Sequence, residues 1–222
     1  MLKLKKTLSY KTQPIEYDLI LRDQKYIRLK IVDTKLSVSA PLSIQDWEIE
    51  HFIYKNIAKI QKVIDFKEKN KKVEVANPGF VKIFDKKIET FFRLQPNENQ
   101  KNTYKLYESL ELTIKHMYKK MSIEYYNIFV QRISYWKQVM NLDFKNLSVK
   151  EMKGKWGICY PEKSKIVLNI RLIHYPLDAL DYVIVHELTH LVHKNHSKNF
   201  WYYVQNYLPN YKKASDLLKV VI

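Results

Sequence analysis

Glycine and cysteine are scarce in this chain of 222 residues, which has three glycines and one cysteine, Cys159. So few glycines exclude a glycine-rich phosphate-binding loop and a flexible glycine linker. A single cysteine excludes an internal disulfide framework and is typical of proteins from a reducing compartment.

Long apolar runs are also missing. No apolar stretch approaches the roughly 18 residues that a membrane-spanning helix requires. The basic first residues, "MLKLKKTLSYKTQPIEYDL", are not followed by the apolar segment of a signal peptide. The sequence therefore predicts a soluble cytoplasmic protein without a membrane partner, and it leaves the oligomeric state open.

Basic residues greatly outnumber acidic ones and give the chain a formal net charge of +16. Such a charge is typical of proteins that bind nucleic acid or another polyanion. However, only five of the 39 basic residues are arginine, which is the better ligand for phosphates and bases. Solubility and a lysine-rich residue usage also explain the charge and are the favoured explanation, so a nucleic-acid partner is the lesser of two hypotheses.

The first half of the chain is dominated by strand patterns. Apolar and polar residues alternate in residues 1–42, which predicts short strands. A helical spacing of apolar residues then predicts one helix, capped by Ser43 and ending near Phe66. Further strands and turns follow, so residues 1–105 are predicted to form a β-rich N-terminal region with one helix.

The second half, residues 106–222, reads as a helix–strands–helix arrangement. One long helix is predicted from about Leu110 to Met140, and two strands flank the segment "GKWGICYPEKS". After Pro176, the run "LDALDYVIVHELTHLVH" is apolar on nearly every side, as a central buried helix would be. One or two further helices complete the chain, and the predicted fold class is α+β.

The segment "HELTHLVHKNH" contains four of the seven histidines of the chain, at positions 186–196. With this composition, the pattern H-E-x-x-H is expected by chance only about 0.01 times per chain. Residues four apart on a helix lie one turn apart, so His186 and His190 can reach a single ion. Glu187 is rotated by about 100° and can lie beside that ion without binding it. Zinc is the metal that suits such imidazole ligands.

The third ligand is predicted to be His196. No glutamate follows Glu187, and His193 lies about two turns, or 10 Å, beyond His186 on a continuous helix. The spacing H-E-x-x-H-x-x-x-x-x-H requires that the helix ends after His193 and that the chain doubles back near Asn195. The triad His186, His190 and His196 is therefore the predicted zinc site.

Residues around this site resemble the YgjP-like metallopeptidase family of bacteria, which is related to the SprT-like zinc proteases. The resemblance covers residues 145–220 closely. It rests on Trp156-Gly157-Ile158-Cys159, Leu168-Asn169, Pro176, His186 to His190, Asn195-His196-Ser197 and Phe200-Trp201. Ile158 departs from the family pattern, which has serine at this position.

The resemblance implies a zincin-like metallopeptidase core over residues 106–222 and hydrolysis of a protein or peptide substrate. Zn²⁺ would be held by His186, His190 and His196, with Glu187 as the general base. An electrophile for the transition state is also expected, and the sequence does not choose among five candidates. These are Arg171, His174, Tyr203, Tyr207 and Tyr211.

Two rival interpretations remain. The first is a non-catalytic, nucleic-acid-associated binding module whose zinc is structural, which requires a fourth protein ligand from Cys159, His193 or Asp216. The second is a histidine-rich core without metal. Trp156, Phe200 and Trp201 are predicted to be core packing around the histidine helix.

Overall fold

The computed structural model describes residues 2–10, 13–32, 34–97 and 99–219. The chain divides into two compact units, Met1–Lys71 and Lys72–Ile222. The domain boundary predicted from the sequence, after residue 105, falls inside the second unit. The strands that follow residue 72 belong with the C-terminal half because they pack into its core.

The first unit is a four-stranded sheet with one helix. The strands are β1 (Leu2–Tyr10), β2 (Gln13–Leu21), β3 (Arg28–Val32) and β4 (Lys35–Ala40), in the spatial order β1-β2-β4-β3. Alternate residues of β4 are buried, as expected for a sheet with one face covered. Helix α1 (Asp46–Lys69) contributes Ile49, Ile53 and Ile60 to the same core.

Helix α1 begins two residues later than the sequence predicts. Its N-cap is Gln45 rather than Ser43. The backbone N–H of Gln45 donates to Glu48 Oε2 at 3.0 Å, which is half of a capping box. Glu48 thus decides the start, because it satisfies an N–H that helix formation would leave unpaired.

The second unit begins with a sheet of β5 (Val73–Glu74), β6 (Gly79–Ile83), β7 (Lys86–Arg93) and β8 (Thr103–Lys105), in chain order. The predicted single helix after Leu110 is two helices, α2 (Leu110–Glu124) and α3 (Tyr126–Val139). They meet at Tyr125, which ends one helix and starts the next. No proline or glycine marks this break in the sequence.

A three-stranded sheet and three helices complete this unit. Strands β9 (Asn146–Lys150), β10 (Gly157–Tyr160) and β11 (Lys165–Asn169) have the order β10-β11-β9, so β10 is an edge strand. The sequence predicted β9 and β11 but not β10. Helices α4 (Leu177–Thr189), α5 (Lys198–Tyr207) and α6 (Tyr211–Lys219) follow, after a 3₁₀ turn over Ile170–His174.

Helix α4 is the centre of the second unit. Every residue from Ala179 to Thr189 except His186 is buried, which confirms the prediction of a helix that is apolar all round. Its first turns are anchored to α3 by a two-pronged ion pair, in which Arg132 donates to both carboxylate oxygens of buried Asp181. In the described part of the chain, no helix is both long and apolar enough to cross a membrane.

Candidate functional site

Helix α4 presents His186, Glu187 and His190 at its C-terminal end. The helix ends at Thr189, with His190 as its C-cap. The sequence analysis placed this end after His193, and the structure corrects it by about one turn. Leu191 N–H and Val192 N–H donate to carbonyls three residues back, and these tight turns redirect the chain.

The redirected chain brings His196 back onto the helix. The Nε2 atoms of His196 and His186 lie 2.9 Å apart. One ligand atom from each of His186, His190 and His196 lies within 4.8 Å of the other two. Among the residues that the structure describes, this group consists of those three histidines alone, so Cys159, His193 and Asp216 do not extend it.

The protonation of these rings suits a metal ion. Nδ1–H of His190 donates to the carbonyl oxygen of His193 at 3.2 Å, which leaves the Nε2 lone pair of His190 available. Burial, with His190 and His196 nearby, lowers the pKa of His186 to about 3. Burial also lowers the pKa of His190. An imidazole with a lowered pKa stays neutral at neutral pH and therefore keeps a nitrogen lone pair that a metal ion can bind.

Aromatic contacts fix the orientation of the His186 ring. Nδ1 of His186 is buried and has no hydrogen-bond partner among the described residues. The ring is held instead by aromatic contacts, edge-on to Phe200 at 4.9 Å and to Tyr182 at 5.9 Å between centroids. A ring packed in this way keeps its Nε2 aimed at His196.

Glu187 lies beside the histidines and is almost completely shielded from solvent. Its side chain is buried, and burial raises the pKa of its carboxyl to about 8. The backbone N–H of Cys159 donates to the carboxylate and Lys155 lies nearby, and both oppose that rise. Glu187 is therefore held against the edge strand β10, next to the three histidines and outside their cluster.

Gly157 makes this position of Glu187 available. A Cβ atom on residue 157 would lie 2.5 Å from both Cγ and Oε1 of Glu187. Carbon atoms essentially never approach so closely, so any larger residue would displace the carboxylate. The Trp-Gly pair was noticed in the sequence, but this reason for the glycine is visible only in three dimensions.

Aromatic rings support His196 from the side of α5. Trp201 stacks on His196 at 5.7 Å and 22°, and Tyr211 stacks on the Trp201 ring at 5.4 Å and 15°. Phe200 is fully buried beneath the histidines, as predicted for core packing. Trp201 does more than fill the core, because it orients a histidine that is itself exposed.

Two cavities, of about 350 Å³ and about 430 Å³, open on the histidine cluster. Lys155, Gly157, His186 and Glu187 line both of them. Sequence reasoning missed Lys155, which carries no signal beyond its place before Trp156-Gly157. It also missed Tyr182 of the smaller cavity, although this residue lies one helical turn before His186.

None of the five candidate electrophiles lines either cavity. His174 is 2% exposed and engages both ring nitrogens, accepting from the Tyr118 hydroxyl at 2.8 Å and donating to the Lys82 carbonyl at 2.7 Å. Asn169, to which the sequence assigns no definite role, fixes the segment that precedes β10. Its amide donates to the carbonyls of Met152 and Lys155 at 2.8 and 2.7 Å.

The model of the YgjP-like metallopeptidase domain matches residues 25–220 of the chain. The match therefore includes most of the N-terminal half, where sequence motifs are weak. No curated protein shows significant similarity to the chain.

Two solved structures resemble part of it. The crystal structure of the metallopeptidase zymogen abylysin of Pyrococcus abyssi is 19% identical, at a TM-score of 0.38, over 40% of this chain and 90% of that one. The metallopeptidase zymogen jannalysin of Methanocaldococcus jannaschii is 24% identical, at a TM-score of 0.37, over 42% and 93%. Since the family model spans nearly the whole chain, the protein belongs to the YgjP-like metallopeptidase family.

Proposed function

We propose that the protein is a zinc-dependent peptidase in which His186, His190 and His196 bind the metal and Glu187 is the general base. The observation that carries this proposal is the convergence of three imidazoles within 4.8 Å, next to a buried carboxyl group. Three protein ligands leave one tetrahedral position open, as in catalytic rather than structural zinc sites.

In the proposed reaction, the metal activates the reactants and Glu187 transfers the proton. Bound zinc would supply Lewis-acid activation of a water molecule and of the scissile carbonyl. Glu187 takes the proton from the attacking water and later delivers it to the leaving amine. Burial of Glu187 against β10 keeps its carboxylate in one place for both transfers, and Gly157 provides the space.

The wild type and three variants test the assignment. Purified wild-type protein without a histidine tag should contain about one zinc per chain by elemental analysis. His196→Ala should lose zinc, whereas His193→Ala, the matched control in the same segment, should keep it. Glu187→Gln should keep zinc and lose hydrolysis of a casein-type substrate. A Gln variant as fast as the wild type would end this mechanism.

The alternative of a nucleic-acid-associated module with structural zinc lacks support. Such a site would need a fourth protein ligand, and the cluster in the described residues has three members. The comparisons support a peptidase, whose substrate is a protein or peptide. The charge of +16 remains the only feature that points to a polyanion.

A further inference from the structure

The two cavities meet at the proposed hydrolytic centre. They share Lys155, Gly157, His186 and Glu187, and each then extends to residues that the other does not touch. A peptide whose scissile bond lies over His186 and Glu187 would therefore direct neighbouring side chains into different surroundings.

Large side chains with apolar surface line one part of each cavity. The smaller cavity, which we call the apolar pocket, has a volume of about 350 Å³, and beyond the shared residues it is lined by four large apolar or aromatic side chains, from the segment before β10, α4 and α6. Its distinctive residues are Trp156, Tyr182, Val183, Ser215 and Leu218. The larger cavity, of about 430 Å³, combines Ile158, Cys159 and Pro161 with the polar groups of Glu162, Lys194, His190 and His196.

The wall of the apolar pocket is already formed in the free protein. The indole N–H of Trp156 donates to the carbonyl oxygen of Leu218 at 3.3 Å, so it satisfies a carbonyl in the last turn of α6. The same indole packs edge-on against Tyr175 at 5.3 Å and 80°. The backbone N–H of Asn169 donates to the Trp156 carbonyl at 2.9 Å. A pre-formed pocket binds a side chain without an ordering cost.

We propose that the apolar pocket selects substrates with a large apolar or aromatic residue beside the scissile bond. This inference rests on the proposed function, because it places the bond at His186 and Glu187. A phenyl or isobutyl group leaves water for contact with Trp156, Val183 and Leu218. By the usual value of apolar burial, this favours phenylalanine over alanine by about 10- to 100-fold in kcat/KM. A carboxylate gains nothing from contact with these apolar groups, so aspartate is disfavoured relative to phenylalanine.

The test uses quenched fluorescent octapeptides of alanine with one guest residue, Phe, Leu, Ala or Asp, placed in turn at each position. The expected result is a strong preference for Phe or Leu at one position adjacent to the cleaved bond. Ser215→Trp fills the pocket from α6 and should reduce the Phe-to-Ala ratio of kcat/KM to about one. Lys213→Trp, exposed on the same helix and outside the pocket, should leave the ratio unchanged.

A smaller filling variant guards against a general disturbance of α6 by tryptophan. Ser215→Leu should give an intermediate ratio, and melting temperatures of all three variants report whether the fold is kept. A Phe-to-Ala ratio that stays at its wild-type value in both folded Ser215 variants would overturn the proposal. So would a wild type without side-chain preference next to the cleaved bond.

A binding measurement separates this inference from the proposed function. The same peptides are titrated into zinc-loaded Glu187→Gln protein, with tryptophan fluorescence as the signal. The Phe peptide should bind about 10-fold or more tightly than the Ala peptide, and Ser215→Trp in this background should abolish the difference. Equal binding would refute the pocket. A wild type that binds selectively but cleaves nothing would refute the proposed function instead.

Discussion

Gly157→Ala is expected to remove most of the peptidase activity by displacing Glu187. The added methyl group would lie 2.5 Å from Cγ and Oε1 of Glu187 and 2.7 Å from Cδ. Ordinary van der Waals contact begins near 3.4 Å, so the carboxylate must move by about 0.9 Å. A displacement of about 1 Å in a catalytic group lowers the rate by about 100-fold.

The assay has three readouts. The value of kcat/KM should fall by about 100-fold, and zinc content should stay near one per chain because no histidine is moved. The free energy of unfolding should fall by about 1–3 kcal/mol, the usual cost of overpacking. Glu187→Ala removes the clashing atoms, so the double variant Gly157→Ala/Glu187→Ala should be destabilised less than the two single changes together predict.

Gly154→Ala is the matched control. Its φ of +74° opposes a side chain, but no atom lies within 4 Å of the added Cβ. It should lose about 1–2 kcal/mol of stability through backbone strain and keep kcat/KM within about threefold of the wild type. If Gly157→Ala stayed within twofold of the wild type, or lost its zinc, the steric reasoning would be refuted.

Two further predictions concern Trp201 and His174. Trp201→Ala removes the ring stacked on His196 and should weaken zinc binding by about 10- to 100-fold in a chelator competition, whereas Tyr202→Ala, 69% exposed next to it, should not. Burial lowers the pKa of His174 from 6.5 to about 4, so the unfolded chain binds a proton at this residue more tightly than the folded chain does. The neutral, buried form of His174 therefore contributes its full stability above pH 6.5. That contribution is lost as the pH falls towards 4. Between pH 7 and pH 5, the free energy of unfolding of His174→Gln in urea should therefore fall by about 2 kcal/mol less than that of the wild type. An equal fall in both proteins would contradict a lowered pKa of His174.

The histidine helix illustrates what a local pattern can predict. His186 and His190 share a face because any α-helix places residues four apart one turn above each other. The apolar run around them requires burial on all sides, and the structure has it. The shared face of His186 and His190 depends only on geometry within one helix, and the prediction of burial depends only on the apolar composition of the run.

Element boundaries were predicted less well, because competing local signals are close in energy. The end of α4 at Thr189 and the break at Tyr125 carry neither proline nor glycine. The start of α1 depends on which residue the Glu48 side chain reaches. In each case several positions are locally acceptable, and packing or a single hydrogen bond selects one of them.

The sequence by itself determined the candidate chemistry of this protein: two histidines and a glutamate on one buried helix, with His196 as the remaining ligand of suitable spacing. Only the tertiary structure decided how that chemistry is presented. It set the 2.9 Å approach of His196 to His186, the space above Gly157 and the apolar pocket between Trp156 and Leu218. The physical reason is separation along the chain, since helix periodicity relates neighbours a few residues apart, whereas Gly157 meets Glu187 through the packing of an edge strand against a helix.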